Sequence, residues 1–410
     1  MGSSSSKGKQ HEAAAKYGQI YLETDRSAYL AGENVTGKIY LNLVQPYPGN
    51  QITLKLKGKE YSSIVHQRSE TYHTGEGQAR KTETRNVEDL IEEKNDIIKL
   101  SVPVYQWPNL MPGQYTIPFN FVLPYTIPSS FFQEGFRYLA HISYQLEANL
   151  QPFSNKDPKM KHKQPLIVRQ PIVSQSQSYE TEITTPLTTW CCCSRGTNKL
   201  KVRFEKNCYQ PGEKANVIVQ LDNADSKLNN KKIEFSLIQK LSVKARSQSI
   251  KKEFDKITRH LEGIPSRGSG NKSYIELNLP KFQAENPKHP KRSNLKQYLL
   301  ALRDESESLN PETKGRLVTS EYFLRVSCPM EGCCSDTPTV ECPIEIYYPD
   351  IQIPPVYAPS DWAPQMINPV NLSFGQTQGP YITPEKGIGM TPDQSLMQNQ
   401  SNSTHYQSTA

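Results

Sequence analysis

Hydrophobic residues recur at every second position in several short runs of this chain. Val35, Gly37, Ile39, Leu41 and Leu43 alternate with polar or flanking residues, and Ile52, Leu54 and Leu56 do the same up to Gly58. Leu200, Val202 and Phe204 repeat the pattern in the second half, as do Ile275, Leu277 and Leu279 before Pro280. A period of two is what a strand with one buried face requires. Gly-Glu, Pro-Gly and Pro-Tyr clusters separate the runs, so the spacing predicts many short antiparallel strands of the kind that build a β-sandwich. Pro112-Gly113-Gln114-Tyr115 predicts a turn into a strand at 117–123. Pro118 and Pro124 are expected to bracket that strand at its ends, where a missing amide donor is tolerated.

The runs come in two copies. Asp25-Arg26-Ser27-Ala28-Tyr29-Leu30-Ala31-Gly32-Glu33 aligns without gaps on Glu205-Lys206-Asn207-Cys208-Tyr209-Gln210-Pro211-Gly212-Glu213. Ile20 and Leu22 fall on Leu200 and Val202 at the same offset. With one added residue, Ile52, Leu54 and Leu56 fall on Ile233, Phe235 and Leu237. Tyr144-Gln145-Leu146 corresponds to Tyr322-Phe323-Leu324. The chain therefore reads as two related domains in tandem.

Three polar segments interrupt the alternation: 66–99, 243–272 and 283–315. Phe254, Ile257 and Leu261 in the second, and Leu295, Leu299 and Leu302 in the third, stand at helical spacing, so short helices or mobile excursions are expected there. Residues 169–190, rich in Gln, Ser and Thr, read as the inter-domain connection, extended along the sheets. From 352 onward Pro, Gln, Ser, Thr and Asn dominate, and such a tail is expected to be disordered because it buries too little apolar surface. The organisation is then a flexible N-terminus at 1–16, domains at 17–168 and 191–351, the linker at 169–190 and the tail at 352–410.

A chain of 410 residues fits about two to three domains. Its net charge of +7, from 48 basic and 41 acidic residues, allows contact with acidic membranes or phosphorylated partners but is far from a histone-like balance. No run approaches the roughly 18 apolar residues of a membrane-spanning helix, and the N-terminus lacks an apolar signal core, so the cytosol is the expected compartment. The eight cysteines then read as reduced thiols, metal ligands or acylation sites, not as a disulfide framework. No G-x-S-x-G elbow, Walker A loop, H-E-x-x-H pair or dinucleotide fingerprint is present, so the expected answer to catalysis is no.

Read residue by residue, the repeated unit resembles the arrestin fold. Gly18-Gln19-Ile20-Tyr21-Leu22, followed by Tyr29 through Gly37, is similar to the first strands of an arrestin N-domain. The most specific match runs from Leu110-Met111-Pro112-Gly113-Gln114-Tyr115 through Pro118-Phe119-Asn120-Phe121-Val122-Leu123-Pro124, then Ile127-Pro128-Ser129-Ser130-Phe131 and Ala140-His141-Ile142-Ser143-Tyr144. The second copy, from Lys199 through Tyr209-Gln210-Pro211-Gly212-Glu213 to Asp222-Asn223, resembles the C-domain. The resemblance spans about residues 17–351. It implies an all-β fold of two tandem immunoglobulin-like arrestin β-sandwiches, about seven to eight strands each, with a disordered C-terminal tail. It also implies an adaptor that grips membrane-protein cargo, peripheral at the plasma membrane or endosomes.

Within that family the chain looks like an alpha-arrestin, because Pro354-Pro355-Val356-Tyr357 fits the PPxY signature. Consecutive prolines pre-set a polyproline II strand for a WW domain, while the tyrosine fills a second pocket. The implied partner is a WW-domain ubiquitin ligase. A sorting or coat scaffold like the retromer subunit that shares the arrestin fold is the alternative, and a metal-thiolate protein is a weaker one.

Other residues carry candidate chemistry. Met1-Gly2-Ser3-Ser4-Ser5-Ser6 matches the myristoylation pattern, with Gly2 as acceptor and Lys7 and Lys9 following. One acyl chain binds membranes only marginally, so a second signal is required. Cys191, Cys192 and Cys193 stand at the entry to the second domain, and Cys328, Cys333, Cys334 and Cys342 near its last strands. Three readings stay open for them. Cys191, Cys192, Cys193, Cys333 and Cys334 provide a thiolate set for a structural zinc, although their spacing is not that of paired knuckles. Palmitoylation of the triplet beside Trp190 would complement Gly2. The third reading is small buried core residues, the one expected for Cys208. Lys156, Lys159, Lys161, His162 and Lys163, with Lys288, His289, Lys291, Arg292 and Lys296, form two basic clusters suited to phosphate or anionic lipid. Solvated loop charge explains any single one of them. Without interleaved aromatic platforms they do not favour nucleic acid.

Overall fold

The computed structural model describes residues 16–74, 81–154, 157–171, 175–189, 193–270, 272–280, 309–332, 336–347 and 362–373. They are almost entirely strand. The first domain holds β1 (Gly18–Thr24), β2 (Ala28–Leu30), β3 (Asn34–Leu43), β4 (Gln51–Thr74), β5 (Lys81–Gln106), β6 (Gly113–Val122), β7 (Phe131–Gly135), β8 (Tyr138–Gln151) and β9 (Met160–Arg169). The second holds β10 (Tyr179–Thr189), β11 (Cys193–Phe204), β12 (Cys208–Tyr209), β13 (Lys214–Asp222), β14 (Lys232–Ala245), β15 (Gln248–Glu262), β16 (Ser273–Asn278), β17 (Thr313–Lys314), β18 (Val318–Ser327) and β19 (Thr339–Ile346). Two short strands follow, β20 (Gln365–Met366) and β21 (Val370–Asn371).

Each domain is a sandwich of two sheets, and the two sandwiches repeat one topology. In the first, β1-β3-β6 faces β2-β9-β8-β4-β5, with β7 on β8. In the second, β11-β13-β16 faces β12-β19-β18-β14-β15, with β17 on β18. The period-two residues do what the pattern requires. Val35, Ile39 and Leu41 on β3, and Ile52, Leu54 and Leu56 on β4, are fully buried in one core. Leu200, Val202, Phe204, Phe235 and Leu237 are their counterparts in the other. Each such side chain contributes roughly 1.5–3 kcal/mol through removal from water.

The gapless repeat has a local physical cause. Gly32 and Gly212 take positive φ, 87° and 81°, in equivalent tight turns. In each turn a glutamate folds back over it: Glu33 accepts the amide of Leu30 and Glu213 that of Gln210, both at 2.8 Å. The same glutamates pair with Arg26 and Lys206. Those cations lie over the rings of Tyr29 and Tyr209, 4.6 and 5.0 Å from the centroids. The later pair also matches, for Tyr144 donates to the Pro128 carbonyl at 2.7 Å and Tyr322 to that of Asn310 at 2.9 Å. The repeated residues are thus turn and corner chemistry serving the fold.

The structure departs from the sequence-based expectation in five places. The polar segment 66–99 is the outer part of a hairpin, β4 paired with β5 from Gln51↔Gln106 to Thr74↔Lys81. Segment 243–272 is strand as well over most of its first twenty residues, where β15 pairs with β14 up to Glu262. Its register skips Lys256, with Leu237 opposite Ile257 and Ile238 opposite Asp255. That bulge brings Phe254 and Ile257 to one face, which produced the apparent helical spacing. Leu295, Leu299 and Leu302 lie outside the described residues.

Residues 179–189 of the expected linker form β10, which adds to the edge of β11. Pro118 sits in the middle of β6, opposite Lys38, and does not mark a strand end. Finally, part of the segment expected to be disordered is ordered. β20 and β21 lie parallel to β6 along the edge opposite β3, because that edge offers unpaired backbone groups and the core beneath accepts two aliphatic side chains.

Candidate functional site

A polar seam joins the two sandwiches. Glu60 continues the buried parity of Ile52, Leu54 and Leu56 on β4, and it is fully buried. Its Oε1 accepts the backbone amides of Leu317 at 2.7 Å and Val318 at 2.8 Å, from the β17–β18 turn of the other domain. Its Oε2 accepts the amide of Arg316 at 3.2 Å and the Asn95 side chain at 3.1 Å. Four donors in a dry setting hold a carboxylate without a directly paired cation. Beside it, Ser62 donates to the Lys244 carbonyl at 2.5 Å. Glu93 of β5 accepts the Arg246 amide and the Arg316 guanidinium, the latter at 2.7 Å. These bonds, the backbone one first, hold the Glu93 carboxyl below its usual range.

Apolar contact backs the seam. Leu241, Val243, Ala245, Leu317 and Val318 of the second domain pack into the core of the first. Gln239 donates to Gln133 at 3.0 Å and to Ser320 at 2.9 Å, and Thr313 donates to the Ser129 carbonyl at 3.1 Å. A signal for this seam existed in the sequence. Glu60 and Ser62 are polar residues at core parity, which calls for a specific partner.

On the outer edge of the first sandwich lies the tail segment. The Ile367 amide donates to the Thr116 carbonyl at 3.0 Å, and the Leu372 amide to that of Asn120 at 2.8 Å. Asn120 donates to the side chain of Asn371 at 2.6 Å, and the Gln114 side chain accepts the Ala363 amide at 2.9 Å. Trp362 meets Tyr40 edge to face, with centroids 6.0 Å apart.

The residues singled out in the sequence are spread over the molecule. Gly2, Pro354, Pro355, Val356, Tyr357, Cys191, Cys192, Cys333, Cys334, Lys291 and Arg292 lie outside the described residues. Cys193 opens β11 and is exposed. Thr188 donates through its amide (2.9 Å) and its hydroxyl (2.8 Å) to Asp336, so the flanks of the two cysteine groups meet at one end of the second domain. Cys208, Cys328 and Cys342 are buried. Burial pushes the thiols of Cys328 and Cys342 up to about 12 and about 11, which keeps them protonated packing residues. Among the described residues no three metal-ligating side chains come together.

In the first basic cluster, Lys159 is exposed. Lys163 shares Glu147 with Lys57, at 3.5 and 3.2 Å. Burial holds His162 below its usual value, and its Nδ1 accepts the Leu22 amide at 3.2 Å while its ring lies 4.5 Å from that of Tyr21. Lys161 is half-buried on β9 beside it. No helix among the described residues is long and apolar enough to cross a membrane.

Two sandwiches of one topology, locked by a buried polar seam and carrying a strand on an outer edge, define a tandem β-sandwich protein. This chain belongs to the arrestin family. Residues 18–173 match the family described as Arrestin (or S-antigen), N-terminal domain, and residues 194–351 match its C-terminal domain. The chain is similar to arrestin domain-containing protein A of Dictyostelium discoideum, 26% identical over 220 residues, 52% of this chain and 36% of that protein. It is similar to arrestin domain-containing protein 17 of Caenorhabditis elegans, 26% over 253 residues, 56% and 52% of the two chains. Human arrestin domain-containing protein 5 is 25% identical over 224 residues, 51% and 57% of the chains. The matched region thus spans about a third to somewhat over half of these relatives.

Proposed function

We propose that this chain is an arrestin-type adaptor in membrane-protein trafficking, joining cargo held by the sandwiches to a WW-domain ubiquitin ligase through Pro354, Pro355, Val356 and Tyr357. The observation that supports this reading is the position of the motif between two anchors. On one side the Tyr347 amide donates to the Tyr209 carbonyl at 3.0 Å. On the other, Trp362 packs on Tyr40. A PPxY sequence in a short stretch tethered at both ends loses less freedom on docking than one in a long free tail. Gly2 and the cysteine triplet would supply the membrane contact, and Lys159 and its neighbours a phosphate or lipid contact.

The test is binding of full-length chain and its Tyr357→Ala variant to a panel of WW domains. Loss of binding by at least tenfold in the variant is expected. Unchanged binding to every WW domain overturns ligase recruitment and leaves the retromer-like sorting scaffold. A structural zinc held by the cysteines at the joined flanks is a second reading, motivated by the Thr188–Asp336 tie. It fails if purified reduced protein contains no zinc by elemental analysis.

A further inference from the structure

Strands of both sheets of the first sandwich end at one level. Leu43 pairs with Gly18 and Gly113 in one sheet, and Gln51 with Gln106 and Gln151 in the other. β9 starts there too, with Met160 near its first pair, opposite Leu150. The loops beyond, 44–50, 107–112 and 152–154 with 157–159, form a pole. Glu60 of the inter-domain seam lies nine residues further along β4, about 30 Å away, so the pole is the end remote from the second domain. Backbone bonds fasten these loops to one another and to the entry of β1. The Phe153 amide donates to the Pro48 carbonyl at 2.7 Å, the Trp107 amide to that of Asn50 at 2.9 Å, and the Val44 amide to that of Tyr17 at 3.0 Å. The Tyr47 hydroxyl reaches the Pro158 carbonyl at 2.9 Å.

What the pole shows to solvent is apolar. Val44, Met111 and Phe153 are 61%, 62% and 74% exposed. One exposed apolar side chain on a loop needs no explanation, but three projecting from loops fastened together do. Pro46, Pro48, Pro108, Pro112, Pro152 and Pro158 bring no amide donor. The amides of Val44, Gly49 and Phe153 are already bonded within the pole. Withdrawing water therefore strands little backbone.

The charge indicates what withdraws it. Segments 44–50 and 107–112 carry no charged residue. Beside them Lys16 and Lys159 are exposed, against a half-buried Asp157. The chain enters β1 at this level, so the Gly2 acceptor motif, Lys7 and Lys9 are tethered to the same pole, with Glu12 as that segment's one acid.

We infer that this pole is a membrane-docking face: Val44, Met111 and Phe153 enter an anionic bilayer, and Lys16 and Lys159 meet its headgroups. The inference rests on the reading of this chain as a membrane-trafficking adaptor, and adds the face that lipid touches. Three loop-tip side chains and a few cations give reversible attachment, and an acyl chain on Gly2 would enter the same leaflet as a second anchor. A second copy of the chain fits less well, because a two-fold contact would set these cations against one another.

The test uses unacylated full-length protein, made in cells without an N-myristoyltransferase. The vesicles are phosphatidylcholine alone or mixed equally with phosphatidylserine. Saturable co-sedimentation is expected with the mixed vesicles, and at least tenfold weaker binding to phosphatidylcholine. Val44→Asp/Met111→Asp/Phe153→Asp should weaken binding to the mixed vesicles at least tenfold, and Lys159→Glu at least threefold. Tyr274→Asp, at an equally exposed ring in the second domain, should leave it unchanged. Insertion is read separately: brominated lipid should quench the added indole of Phe153→Trp but not that of Tyr274→Trp. No binding of the parent to mixed vesicles, equal binding to both vesicles, undiminished binding of the triple variant, or no quenching at 153 overturns the inference. So does a parent dimer that the triple variant dissolves, which would assign the face to a second copy. WW-domain binding should be unchanged in the triple variant, so loss of vesicle binding alone strikes this face and leaves ligase recruitment standing.

Discussion

The Oε1 of Glu60 lies 2.7 Å from the amide nitrogen of Leu317, across 257 residues of sequence and from one sandwich to the other. Removing the carboxylate strands three amides, the buried ones of Leu317 and Val318 on Oε1 and that of Arg316 on Oε2. Each orphaned donor costs about 1–3 kcal/mol, so Glu60→Ala should destabilise the chain by about 3 kcal/mol. Glu60→Gln keeps the oxygen that serves Leu317 and Val318 and should cost only about 1 kcal/mol. Urea unfolding of the full chain reads both, and an alanine variant as stable as the parent refutes a structural role for the seam.

The same relationship constrains Gly315. A Cβ there would stand 2.2 Å from Glu60 Oε1 and 3.0 Å from the Val318 carbonyl oxygen. Gly315→Ala should therefore cost about 1–3 kcal/mol by overpacking. In a Glu60→Ala background the clash with the carboxylate is gone, so the second penalty should shrink by at least about 1 kcal/mol. Additive losses in the double-mutant cycle would show that the two residues are not coupled.

How much of this was legible in the sequence differs from element to element. β3, β4 and β11 were readable because one face is buried and the other wet, which prints a period of two. The turn at Arg26–Glu33 was readable because its chemistry is complete within eight residues and recurs at Lys206–Glu213. The outer β4–β5 hairpin was not, since most of the described side chains from Gln67 to Tyr72 and at Thr82, Thr84 and Arg85 face water and nothing forces alternation. β15 was misread because the bulge at Lys256 gave a strand a spacing of three. The tail strand was hidden for a similar reason: one extra residue and a proline broke its pattern, and its partner lies about 250 residues away in sequence. Glu60 reads locally as one more charge in Lys-Gly-Lys-Glu, and only a distant turn turns it into a seam.

Glu312 should set a slope in the dependence of stability on pH. Its Oε1 is sequestered without a hydrogen-bond partner. Burial first, then the charge of Glu345, push its carboxyl from 4.5 up to about 8. The folded chain therefore keeps this proton where the unfolded chain has released it. The contribution is present at low pH and is lost as pH rises from the ordinary carboxylate range toward 8. Glu312→Gln, which cannot ionise, should match the parent near pH 4 and exceed it at pH 8 by on the order of 1 kcal/mol. Thermal unfolding across that range checks the sign, and a variant less stable than the parent at pH 8 contradicts it.

The duplicated turns allow one substitution to be compared in two settings. Gly32 and Gly212 share a positive φ, 87° and 81°, and equivalent glutamate bonds. An alanine at either position must adopt a left-handed backbone, a strain of about 1 kcal/mol. At Gly32 there is a further cost, because an added Cβ would lie 2.8 Å from Cδ2 of the Tyr125 ring. Tyr125 is itself exposed, so its ring can move and the added cost is bounded at about 1–2 kcal/mol. Gly32→Ala should thus destabilise more than Gly212→Ala, and Tyr125→Ala should bring the two penalties together. Urea unfolding of the parent, Gly32→Ala, Gly212→Ala, Tyr125→Ala and the Gly32→Ala/Tyr125→Ala double variant decides this. A larger loss at Gly212, or a Gly32 penalty indifferent to Tyr125, would mean that the two turns differ in something other than this ring.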